Sequence, residues 1–88
     1  MYQKIPTTLA QLGPGQTGTV VEIQGGGRLM RRMDALGIRP GKKLTKISST
    51  FFRGPITFRV DNTQVAVGFG MARKIVVEVD RYLPEHFV

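Results

Sequence analysis

A single segment of this chain, Arg28 to Leu36, has the spacing of an amphipathic helix, and it is stopped hard at its end. Leu29, Met33 and Leu36 fall at i, i+4 and i+7 and form one apolar stripe. Met30 lies beside that stripe, while Arg28, Arg31 and Arg32 lie away from it. Gly37 suits the residue just past the helix, because it accepts a left-handed conformation without a Cβ clash. Pro40-Gly41 then forbids any continuation. A chain of 88 residues with one helix cannot cover both faces of an open sheet with helices.

The remaining segments are short and β-rich. Thr7 to Leu12 reads as one helical turn capped by Thr7 or Thr8, ended by Gly13-Pro14-Gly15. Gln16 to Ile23 is rich in Thr and Val; alternation sets Thr19, Val21 and Ile23 on one face and Val20 and Glu22 on the other. Lys43 to Ser48 reads as a strand whose alternation slips between Leu44 and Ile47, which a bulge explains. Phe51 to Pro55 is a loop or hairpin tip. Ile56, Phe58 and Val60 face inward, Asp61-Asn62 turns the chain, and Val65 and Val67 return as the partner strand. Gly68 to Arg73 holds a single helical turn, and Ile75, Val77 and Val79 point inward from the last strand.

Five short strands and one helix bury a face most economically by curling into a barrel, which also removes exposed edges. The expected fold is all-β: a small SH3-like β-barrel with one α-helix inserted after the first strand. The chain is one domain over residues 1–88, with Tyr82 to Val88 as a tail that packs either on the barrel or against a second copy.

Composition narrows the function. An apolar content of 41% suits a globular chain. No run approaches the ~20 apolar residues of a membrane span, and the N-terminus lacks a signal-peptide core. With no cysteine, there is neither a disulfide framework nor a thiolate metal site. The expectation is a cytoplasmic protein without membrane insertion. Thirteen Lys and Arg against six Asp and Glu give +7, a field that attracts nucleic acid, anionic lipid or an acidic protein face.

Chemistry finds little to stand on. Gly25-Gly26-Gly27-Arg28 precedes a helix like a phosphate cradle, but lacks the Lys-Ser/Thr of a P-loop and the spacing of a dinucleotide site. A tight strand-to-helix turn is the plainer reading. His86 is the only histidine, and the six carboxylates show no ligand spacing, so no metal or cofactor site and no catalytic residue is expected. Two partner-binding candidates remain. Arg28, Arg31 and Arg32, extended by Arg39, form either a contact patch for an acidic partner or a solvated helix face. Phe51, Phe52 and Arg53 either expose an aromatic anchor or pack in the barrel mouth.

The order of landmarks resembles the FeoA domain family. Leu9 and Leu12-Gly13-Pro14-Gly15 precede a strand and an Arg-rich helix ending in Leu36-Gly37-Ile38-Arg39-Pro40-Gly41. Gly54-Pro55-Ile56, a hairpin and Ala72-Arg73-Lys74-Ile75-Val76-Val77 follow, so that the resemblance runs from about Leu9 to Val79. It implies an SH3-like barrel and a non-enzymatic accessory of bacterial ferrous-iron uptake, which binds and modulates the cytoplasmic portion of a FeoB-type transporter. Transition-metal binding comes with some descriptions of the family, and the residues give it no specific support. Two other readings stay open: a basic barrel that binds nucleic acid, and a homo-oligomeric scaffold joined through the tail. Against the former, the aromatics do not interleave with the basic residues as stacking platforms would.

Overall fold

The computed structural model describes residues 1–48 and 54–82. Its strands are β1 (Tyr2–Thr8), β2 (Thr17–Ile23), β3 (Lys43–Ser48), β4 (Ile56–Val60), β5 (Thr63–Val67) and β6 (Ile75–Tyr82). Helix α1 spans Gly26–Ala35 and α2 is the short turn Phe69–Ala72. All ladders are antiparallel, in the order β1-β6-β2-β3-β4-β5. The sheet curls into an SH3-like barrel. A 3-10 turn, Leu9–Gln11, leads out of β1, and α2 leads out of β5. These two pack together, with Leu9 and Ala72 fully buried, so the two ends of the sheet meet through helical turns.

The sixth strand corrects the expected five. Tyr2 to Thr8 pairs with β6 over seven positions, from Tyr2 opposite Tyr82 to Thr8 opposite Val76. This segment holds the β-favouring Tyr2, Ile5, Thr7 and Thr8 but carries Pro6, which is tolerated because β1 lies at the sheet edge. The helical turn therefore begins at Leu9, without a side-chain cap from Thr8, and α1 follows the second strand.

Alternation also breaks in β2. A bulge between Val20 and Glu22 sends Val21 to the surface, while Val20 and Ile23 stay buried, so Val21 and Ile23 do not share a face. The bulge expected in β3 lies between Lys46 and Ser48. The Asp61-Asn62 turn is formed, with Asp61 at φ 54°. Phe58, Val60, Ile56, Val67, Ile75, Val77 and Val79 fill the core as the alternation predicts, with Val65 partly buried against it. Phe58 is fully buried, worth roughly 2–3 kcal/mol of transfer free energy.

Helix α1 docks through Met33, which is buried, and Leu29, which is partly so. Leu36 departs from the expected stripe: the helix ends at Ala35, and Leu36 is 38% exposed. The Gly37 N–H donates to the Asp34 carbonyl, and the Ile38 N–H reaches back to that of Met33, both at 2.9 Å. This is a Schellman closure, with Gly37 at φ +84° and Ile38 taking the core place that Leu36 vacates.

Candidate partner-binding face

The Schellman closure does more than end α1. It turns the chain back so that Arg39 and Pro40 stand beside the helix they have just left. The Arg39 guanidinium donates to the Asp34 carboxylate at 3.2 Å, one turn back. Met30, Arg31 and Asp34 lie on neighbouring rows of α1, since residues three and four apart share a face. With Ile23 at the end of β2, these residues line an open groove of about 350 Å³. Its apolar lining comes from Ile23, Met30 and Pro40, and its charged lining from Arg31, Asp34 and Arg39. Met30 is 47% exposed, on a helix that buries only Met33 and, in part, Leu29, so its thioether is open to a partner.

The predicted basic patch is thus divided. Arg31 and Arg39 come together at the groove; Arg28 and Arg32 are exposed on α1 but do not line it. At 100° per residue, Arg28 and Arg32 follow the opposite side of the helix from Met30 and Asp34. Phe51, Phe52 and Arg53 lie outside the described residues.

A second hollow, of about 460 Å³, lies across the outer face of β1, β6, β2 and β3. Lys4, Thr17, Thr19, Lys43, Glu78 and Asp80 line it. Lys4 sits opposite Asp80 in the β1–β6 ladder, and Thr19 opposite both Glu78 and Lys43 in its own two ladders. Asp80 thus faces a lysine across the β1–β6 ladder, while Glu78 sits opposite Pro6 and Thr19, with Lys43 one strand further on.

One buried charge was not anticipated. Lys46 is 6% exposed, and its ammonium donates to the Leu12 carbonyl at 2.6 Å. Main-chain bonds flank this contact: Gly15 N–H to Lys46 C=O at 2.7 Å, and Lys46 N–H to Gln16 C=O at 3.0 Å. Lys46 therefore ties the Gly13-Pro14-Gly15 turn to the barrel wall. The signal was present, because Lys46 is two residues from the inward-facing Leu44.

Among the described residues, no group of three or more His, Asp or Glu is placed to hold a metal ion. None of their helices is long and apolar enough to cross a membrane. Sequence and fold agree on relatives. The chain is 34% identical over 74 residues to an Fe(2+) transport protein A of Methanocaldococcus jannaschii, an alignment covering 84% of this chain and 88% of that one. The crystal structure of an iron uptake regulatory protein, FeoA, superposes with a TM-score of 0.77 at 30% identity, covering 85% of this chain and 99% of the other. A manganese-dependent transcriptional repressor superposes at 0.78 and 26% identity, but this chain covers only 43% of its length. The FeoA domain matches residues 7–79, through the barrel and its inserted helix alike, and this chain belongs to the FeoA domain family.

Proposed function

We propose that this chain is a non-catalytic, cytoplasmic accessory of ferrous-iron uptake, and that it acts by binding the cytoplasmic portion of a FeoB-type transporter. Family membership and the Fe(2+) transport relative supply the pathway. The observation that carries the contact is the groove beside α1, where exposed Met30 stands with Arg31 and Arg39 on a rigid barrel. Apolar surface ringed by arginine is the composition of a protein-binding anchor. The positive field of the chain draws an acidic partner toward it.

The test is a titration of isotope-labelled protein with the cytoplasmic domain of its own transporter, followed through amide shifts. Saturable shifts confined to α1 and the Gly37–Gly41 turn are expected. Absence of any shift at high partner concentration would remove this reading. Steep, salt-dependent binding to an arbitrary oligonucleotide, with no response to the transporter domain, would replace it with nucleic-acid binding.

A further inference from the structure

The groove also constrains what it can receive. We infer that it accepts an apolar side chain flanked by a carboxylate from the partner, and that Asp34 holds the carboxylate's place while the groove is empty. This inference rests on the transporter-binding reading and specifies its chemistry.

The lining is of two kinds. Ile23, Met30 and Pro40 offer carbon surface, and about 350 Å³ is room for a short segment, at the lower end of the ~300–1,000 Å³ of ligand clefts. Two guanidinium groups share the groove with one carboxylate, so the site carries one uncompensated positive charge. The Arg39–Asp34 pair is weakly held, since Arg39 is 54% and Asp34 58% exposed at the side chain. Exposed ion pairs contribute little and exchange readily. When an apolar group docks on Met30, it excludes water from the groove, and a guanidinium–carboxylate bond strengthens in the drier site. Asp34 engages Arg39 alone, while the Arg31 guanidinium lies back against Gly27. A partner carboxylate arriving with that apolar group has Arg39 to take from Asp34, and Arg31, unpaired among the described residues, to draw toward it. Asp34 is thus an internal competitor, lowering affinity for acidic segments and refusing those that lack an apolar anchor.

Binding of the transporter's cytoplasmic domain to the wild-type chain and three variants, measured by calorimetry, tests this. All three positions are exposed, and an amide spectrum verifies each fold. Met30→Lys is expected to weaken binding by tenfold or more, and Arg39→Glu by a similar factor. Asp34→Asn is expected to tighten binding about threefold to tenfold. If the wild type binds but Met30→Lys stays within twofold, the contact is a flat electrostatic one and the groove proposal falls, while the accessory reading stands. If Asp34→Asn weakens binding, Asp34 positions Arg39 for the partner, and the competition is overturned. A wild-type chain that does not bind removes both.

Discussion

The two hollows on this barrel differ in a way their sizes do not suggest. The larger, about 460 Å³, is lined by two lysines, two acids and two threonines, so its charges balance. The smaller, about 350 Å³, joins apolar surface to two arginines and a single aspartate. A partner gains little at the first, because a charge of either sign meets as much repulsion as attraction there. At the second it finds carbon to cover and an unmatched cation. Composition, not volume, separates a self-satisfied surface from a receptive one.

The sharpest way to break this contrast is to change equal charge in both places. The double variant Arg31→Glu, Arg39→Glu should weaken binding to the transporter domain by about thirtyfold or more, roughly 2 kcal/mol. The double variant Lys4→Glu, Lys43→Glu carries the same change in net charge and should stay within about threefold. Titration calorimetry at fixed salt separates the two. Equal losses would mean that overall charge, and not the α1 groove, governs association.

The next effect concerns the wall beneath the polar hollow. Gly18 lies in β2 between Thr17 and Thr19, which line that hollow. A Cβ there would come within 2.8 Å of Val77 Cγ2 and 3.0 Å of Val77 Cβ, in the fully packed centre of the barrel. Gly18→Ala should cost about 1.5 kcal/mol, read from urea unfolding, because β2 and β6 cannot separate without breaking their ladder. Its effect on partner binding should be negligible. That close approach was not legible in the sequence, where Gly18 interrupts a Thr- and Val-rich run without indicating which strand lies against it. The same limit hid β1: Tyr2 to Thr8 becomes a strand through pairing with β6, a contact about 70 residues away in the chain that no local pattern announces.

Local chemistry was far more legible. The helix stop at Gly37 and the Asp61-Asn62 turn follow from residue type alone, as do the inward faces of β4 and β6. The groove was only half visible. Sequence spacing put Arg31 outward and Arg39 beyond the helix, but only the Schellman turn brings Arg39 back to Asp34 and Pro40 back beside Met30. Gly37→Ala probes that dependence. With φ at +84° and a Cβ 3.4 Å from Val60 Cγ1, the substitution should cost about 1 kcal/mol. It should also weaken partner binding severalfold by displacing Arg39, whereas Gly18→Ala, with a larger loss of stability, should not.

The smallest effect completes the contrast between holding the fold and receiving a partner. The Asp34–Arg39 pair looks like a clamp on the turn after α1, yet both side chains are more than half exposed. Exposed pairs are worth about 0–1 kcal/mol, and the turn is already held by the Gly37 and Ile38 backbone hydrogen bonds. Asp34→Asn should therefore change unfolding free energy by no more than about 0.5 kcal/mol, with little dependence on salt. If urea unfolding showed a loss above about 1 kcal/mol, the pair would be a structural clamp that fixes the turn. The carboxylate would then be too firmly engaged to yield Arg39 to an arriving ligand.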